Sequence, residues 1–358
     1  MTNDIVIKRA RGAQASFDET VSIYSRISNW CSQYDILYLN GFSKQQVDED
    51  LIKNCTHPVI VFCMLMDQIR HHNSKTLYDH WSHINELCCV YNKKVWFVTD
   101  SIYNEELYQF SHVKIKSCPE LLGIQYHSDE KIKINTNPSR LYNCFMQRID
   151  SIRQSWFYML HRHNLLDKGY VSFWLTQKKE FKNGISGLPL FDYIHHQYQL
   201  NKIPEFEKSY QQLRNTVPYC NFQDNGSVVT QIVDSKYSVI LETFATHDDV
   251  GAWSVTEKLM KSLHLPNITL AFCQKHLFRE LKKLGFEYDT LLDDIDHLDW
   301  VDRQNKILDI LIHDKVDIDP IHKYNQCVHN QHILETWKLA YLKSDFFDQL
   351  FDEIISLR

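Results

Sequence analysis

With 358 residues, 44% of them hydrophobic and 23% charged, the chain is long and apolar enough to bury a sizeable core, which excludes a disordered or fibrous polypeptide. A formal net charge of -6 argues against a non-specific nucleic-acid binder, which needs a basic excess. Ten cysteines contain no Cys-x-x-Cys pair and follow no secretory segment, so they read as reduced thiols of a cytosolic protein.

In chain order, Tyr34 to Asn40 and His57 to Met66 are short runs rich in β-branched and aromatic residues, and both predict buried strands. The apolar run Val59 to Met66 is too short to cross a bilayer. Ser43 to Asn54, between them, is helix-compatible. Leu77 to Val90 places Leu77, Trp81, Ile84, Leu87 and Cys88 at helical spacing, and Lys94 to Thr99 follows as a strand ending at Asp100. Strand, helix and strand at this spacing predict a parallel sheet with right-handed crossovers. Lys114 to Asn137 is less regular, and a domain boundary is expected near Asn135.

Arg140 to Gln147 predicts a strand, Ile149 to His163 a helix and Gly169 to Leu175 a returning strand. Thr176 to Gln223 reads as a polar, turn-rich insertion. Val228 to Val233 and Tyr237 to Glu242 predict two strands, Thr256 opens a helix, and Ile268 to Cys273 predicts another strand. Lys275 to Leu284 is a helix stopped by Gly285. The tail from Asp302 is mostly helical. The resulting expectation is an α/β protein of two Rossmann-like domains facing a cleft, residues 1–135 and 136–358, with a helical C-terminal tail.

The stretch with most chemistry is Tyr237 to Phe286. A strand ends in Glu242, a loop containing Gly251 follows, and Ser254-Val255-Thr256-Glu257-Lys258 opens a helix. Free N–H groups and the helix dipole favour an anion there, so Lys258 is a candidate phosphate contact and Glu257 an acceptor for ribose hydroxyls. The same residues also make an ordinary capped amphipathic helix. Asp67 and Asp100 follow the second and third strands, where carboxylates reach a cleft. Either is a candidate general base, Asp100 preferred, and either also reads as a loop or N-cap aspartate.

Of 19 histidines, His71-His72, His161 with His163 and His195-His196 lack the i, i+4 spacing of a helical metal clamp. His322, Cys327, His329 and His332 cluster in sequence, yet surface histidines are the expected reading, and no metal is assigned. Asp293 to Asp296 reads as a solvated acidic face. Dinucleotide-binding, P-loop and hydrolase-elbow motifs are absent from the sequence.

Glu242, Ser254, Val255, Thr256, Glu257 and Lys258, followed by the strand from Ile268, resemble the C-terminal donor-binding motif of GT-B glycosyltransferases of the fucosyltransferase kind. Leu277 to Arg303 and Leu141 to Ser172, with Arg148, Arg153, Gly169 and Ser172, are similar to a group of glycosyltransferases of large viruses and phages. The compositional bias, 19 Tyr and 19 Phe against 9 Gly, suits an AT-rich genome such as that of many viruses. The resemblance implies a donor site for a nucleotide-diphosphate sugar, with no cofactor. In it Glu257 contacts ribose, Lys258 the diphosphate and Glu242 the sugar or its loop. Ser254 and Thr256 belong to the same block, Arg153 is a second phosphate partner, and Arg148 lies at the same helix start. The acceptor, whether glycan, protein or modified nucleobase, stays open. A non-catalytic or virion-associated binding protein of the same fold is the alternative.

Overall fold

The computed structural model describes residues 4–7, 13–40, 47–64, 77–104, 106–121, 130–133, 135–146, 151–173, 219–221, 229–242, 251–314, 316–317, 319–342 and 344–356. These form a mixed α/β structure with two parallel sheets. In the first half, strand β1 (Asp4–Ile7) and helix α1 (Ala13–Cys31) lead to β2 (Ile36–Asn40), α2 (Glu49–Asn54), β3 (Val59–Met64) and α3 (Leu77–Val90). They are followed by β4 (Lys94–Thr99), the two-residue β5 (Ile102–Tyr103), β6 (Val113–Ser117) and β7 (Glu130–Lys133). The sheet order is β2-β3-β4-β6, all parallel, while β1 and β7 form a separate antiparallel pair.

Strand periodicity explains the layering. Val59, Val61 and Cys63 of β3 and Trp96 and Val98 of β4 bury one face, and Ile60, Phe62, Val95 and Phe97 bury the other. The second face meets α2 and α3 through Ile52, Leu77, Trp81 and Ile84. The first face meets α1 through Ile23, Tyr24 and Ile27, and also meets the far end of the chain.

The second half contains β8 (Arg140–Met146), α4 (Ser151–Arg162), β9 (Gly169–Phe173), β10 (Tyr219–Cys220), α5 (Val229–Val233) and β11 (Ser235–Leu241). Next come β12 (Ala252–Trp253), α6 (Glu257–Leu263), β13 (Ile268–Phe272), α7 (Leu277–Lys283) and the single-turn α8 (Asp293–Asp296). The chain finishes with α9 (Trp300–His313), α10 (Pro320–Leu342) and α11 (Ser344–Ile355). The sheet order is β10-β9-β8-β11-β13, parallel except for β10. No helix among the described residues is long and apolar enough to cross a membrane.

Strands β1, β6 and β7 and helix α1 are not expected from the sequence, and two further elements depart from their expected type or place. Val228 to Val233, expected as a strand, contains the helix Val229–Val233, because five residues reading Val-Thr-Gln-Ile-Val are too short for a period that separates the two states. Its end is clasped to the sheet by Asn267, whose Nδ2 donates to Ile232 O and Ser235 O. The last helix, α11, belongs to the first core and not to the tail. Phe347, Leu350, Phe351 and Ile354 pack with α1 and the first sheet, the Phe351 ring stacks on Trp30, and Lys116 pairs with Glu353.

A second crossing joins the halves. Strand β12 pairs antiparallel with β5, Ala252 opposite Tyr103 and Trp253 opposite Ile102, and Asn104 N donates to Gly251 O. The packing is reciprocal: Ile102 lies in the core of the second sheet, whereas Ala252 lies in the core of the first. Gly251 enters this ladder at φ 76°, a left-handed backbone that calls for glycine, and an added Cβ would also have to displace the tip of Leu107.

Candidate functional site at the strand ends of the second sheet

Connections in the second sheet run in opposite directions from its centre. From β8 the chain crosses through α4 to β9 on one side, and from β11 through α6 to β13 on the other. Right-handed crossovers then put α4 and α6 on opposite faces, which opens a crevice between the carboxyl ends of β8 and β11. Among the described residues the first sheet shows no such switch point, because its order follows the chain from β2 through β3 and β4 to β6.

Arg153 spans the crevice. It stands in the first turn of α4, is 3% exposed, and donates Nη2 to Leu241 O at the end of β11, 3.0 Å away. Glu242 follows directly and is equally buried. Its Oε1 accepts from Thr256 N at 3.3 Å and Leu259 N at 3.2 Å, and its Oε2 accepts from Thr256 Oγ1 at 2.6 Å. Thr256 caps α6 locally, its hydroxyl accepting from Lys258 N. The carboxylate of Glu242 therefore occupies the positive end of α6, where the sequence reading set a phosphate. Ser254 is buried, and its N–H donates to Gln274 Oε1 at 2.8 Å. Lys258 is half-buried in the first turn of the helix, and Glu257 opens it.

Glu242 and Thr256 thus meet at the start of α6, with Ser254 two residues ahead of Thr256, Glu257 and Lys258 in the first turn, and Arg153 on the carbonyl that precedes Glu242. Asp100 sits just past β4, 4% exposed, and Ser101 then leads into β5. The β5–β12 pair, Tyr103 opposite Ala252 and Ile102 opposite Trp253, brings the segment after Asp100 beside the segment before Ser254. Asp67 and Arg148 lie outside the described residues, as does most of the expected insertion at Thr176 to Gln223.

Three buried polar residues complete the site, and sequence reasoning missed them. Gln274 follows the end of β13 and uses both ends of its amide on the backbone flanking Trp253: Oε1 takes Ser254 N and Nε2 donates to Ala252 O at 3.0 Å. Arg303 in α9 is 0% exposed and holds the same strand end, donating Nη1 to Cys273 O and, at 2.8 Å, to Cys273 Sγ, while Nη2 donates to Asp296 O at 2.8 Å. Burial pushes the Cys273 thiol up to about 12, so it stays protonated despite the guanidinium beside it. Asp296 corrects the expectation of a wholly solvated acidic run. Asp293 and Asp294 are exposed, but the Asp296 carboxylate is buried and accepts from Phe278 N and Arg279 N at the start of α7. Burial raises its pKa, and those two amides and Arg303 pull the other way. The one sequence signal was placement: a Gln directly after an apolar strand and an Arg inside an apolar helix face.

The histidine cluster does not converge. His322, His329 and His332 are exposed, whereas Cys327 is buried and donates Sγ to Leu265 O at 3.0 Å. Among the described residues no three His, Cys, Asp or Glu side chains are grouped to hold a metal ion. The chain matches no protein-family model, no curated protein and no solved structure.

Proposed function

We propose that the chain is a glycosyltransferase that moves a sugar from a nucleotide-diphosphate donor to a hydroxyl acceptor without a metal, its two sheets acting as Rossmann-like halves that face a cleft in the GT-B manner. The observation that carries this reading is the switch point between β8 and β11, lined by Arg153 and by the Glu242 to Lys258 constellation. A crevice of that kind is where open parallel sheets hold nucleotides.

Glycosyl transfer must neutralise a leaving diphosphate and deprotonate an acceptor hydroxyl. Lys258 serves the first need directly. Arg153, buried under the crevice, adds fixed positive charge and holds the end of β11. Asp100 is the candidate base, tied to the donor block through β5 and β12, with Asp67 as the alternative. Glu242 acts by ordering Ser254 to Leu259 rather than by meeting phosphate, because its carboxylate is already engaged by α6. The acceptor is a glycan, a protein or a modified nucleobase, and the acidic balance of the chain favours the first two.

The test is a thermal-shift panel of UDP-, GDP- and deoxythymidine-diphosphate sugars. One of them should raise Tm, and Lys258→Ala should remove most of that rise. No shift with any donor would overturn the reading. A second reading, a binding protein that retains the fold without transfer, draws on the burial of Asp100 and Glu242. It predicts a donor-induced shift with no release of nucleoside diphosphate across a broad acceptor panel.

A further inference from the structure

The β5–β12 ribbon divides its two faces between two cores. Ile102 and its partner Trp253 lie in the core of the second sheet, whereas Tyr103 and its partner Ala252 lie in the core of the first. Side chains alternate along a strand, so each strand of the pair sends one residue into each core. All four are buried, from 0% exposed at Ala252 to 7% at Tyr103. An isolated two-stranded ribbon is marginal in water, and this one is held because both faces are covered.

Each strand is also pinned within its own half. Ahead of β5, Ser101 N donates to Thr99 Oγ1 at 3.1 Å and Ser117 Oγ donates to Ser101 O at 2.7 Å. Behind it, Asn104 O accepts from Leu107 N and Tyr108 N, and Asn104 Oδ1 accepts from Glu106 N at 3.0 Å. The Tyr103 ring meets Phe97 of β4 and Tyr108 edge-on. Strand β12 is gripped by the Gln274 amide on both sides of Trp253, and Trp253 Nε1 donates to Lys275 O at 2.7 Å. Asn104 N, donating to Gly251 O at 2.8 Å, ties one strand to the other. Parting the halves here would strip apolar side chains from both cores and leave the ladder's backbone groups unpaired.

We propose that the ribbon is a lock built into the fold. It opens only when the sheets themselves open, and it gives the crevice one fixed edge, with Asp100 just ahead of β5 and Ser254 just after β12. The lock belongs to the joint between the halves and holds whatever the crevice binds.

Hydrogen exchange of the full chain, under conditions where the opening equilibrium limits the rate, tests this, with peptides fragmented to resolve the Asn104 and Ser254 amides. Both amides should exchange no faster than those of the less protected sheet, compared at β3 and β4 and at β11 and β13, because no smaller opening releases them. Ile102→Val, a change small enough to keep the fold, should speed exchange in β11 and β13 by about fivefold, and Ala252→Gly should do the same in β3 and β4. Each rise thus falls in the half that does not contain the substituted residue. Asn104 or Ser254 exchanging tenfold faster than both sheets overturns the proposal. So does either substitution if it leaves exchange unchanged or raises it in the sheet of its own half alone.

Discussion

Replacing Glu242 separates a helix-ordering carboxylate from a ligand contact. Glu242→Ala removes three acceptor contacts, to Thr256 N, Leu259 N and Thr256 Oγ1, and leaves the Leu259 amide buried without its side-chain acceptor. A hydrogen bond to a charged group contributes about 1.5–3 kcal/mol, and neighbouring contacts are not additive. Partial relaxation and entry of water bring the expected cost to about 3 kcal/mol for alanine. Glu242→Gln keeps one carbonyl oxygen for the two amides, and the Thr256 hydroxyl can turn to accept from the new NH2, so about 1 kcal/mol is expected. Amide hydrogen exchange at Leu259 reads this locally and avoids assuming a single unfolding step for a chain of this size. A cost of 3 kcal/mol corresponds to roughly a hundredfold faster opening. Urea midpoints should fall in the same order, with unchanged slope. Protection at Leu259 that survives Glu242→Ala, or a glutamine variant as damaged as alanine, would refute the ordering role.

Other consequences follow from packing and charge. Gly169→Ala would drive a Cβ to 2.6 Å from the ring of the buried Tyr142, whose hydroxyl is tied to Leu165 O, so a loss of about 1–3 kcal/mol is expected in chemical denaturation. Phe347→Ala, 1% exposed and covered by the Arg26 guanidinium at 4.3 Å, should cost about 3–5 kcal/mol and expose α1 and β3 to limited proteolysis. The Asp234 carboxylate accepts from Ser139 N and Oγ, Tyr170 Oη and Asn135 Nδ2. Burial raises its pKa, but these bonds outweigh it and hold the group below its ordinary value of 3.8. A depressed carboxylate stabilises the fold above its unfolded pKa and loses that contribution as pH falls through its folded value. Acid unfolding below about pH 4 should therefore be less steep in Asp234→Asn than in wild type, and identical slopes would exclude Asp234 as a contributor.

What the sequence disclosed and what it concealed divide along the range of the interactions involved. Helix α3 falls where the spacing of Leu77, Trp81, Ile84 and Cys88 puts it, and β4 matches the run Lys94 to Thr99, because both signals are local. Thr256 before Glu257 was readable as a cap for the same reason. The role of Glu242 was not readable, since its partner Leu259 becomes adjacent only when β11 and α6 are packed. Arg303 and Cys273 are 30 positions apart, and Lys116 and Glu353 are 237 apart. Periodicity marked α11 as amphipathic but could not say which sheet its apolar face would cover. Residues Val113–Ser117 were passed over because alternating lysines dilute the apolar run, yet β6 needs only Val113 and Ile115 on the α3 face of the sheet.

The charge arrangement at the crevice constrains any ligand more than the motif alone does. Glu242 and Asp296 each neutralise the start of a short helix, α6 and α7, so the backbone amides that a phosphate would seek there already have acceptors. Arg153 and Arg303 are turned to carbonyls at the ends of β11 and β13. Both sets of charges are thus committed to holding strand ends and helix starts in register, and their burial makes them expensive to remove and slow to reorganise. On the glycosyltransferase reading, a diphosphate is met by Lys258, half-buried in the first turn of α6. The buried arginines then supply a fixed positive background that costs nothing to reorient during transfer. The Ser254 to Thr256 backbone is fixed in the same way, held by Gln274 on one side and Glu242 on the other.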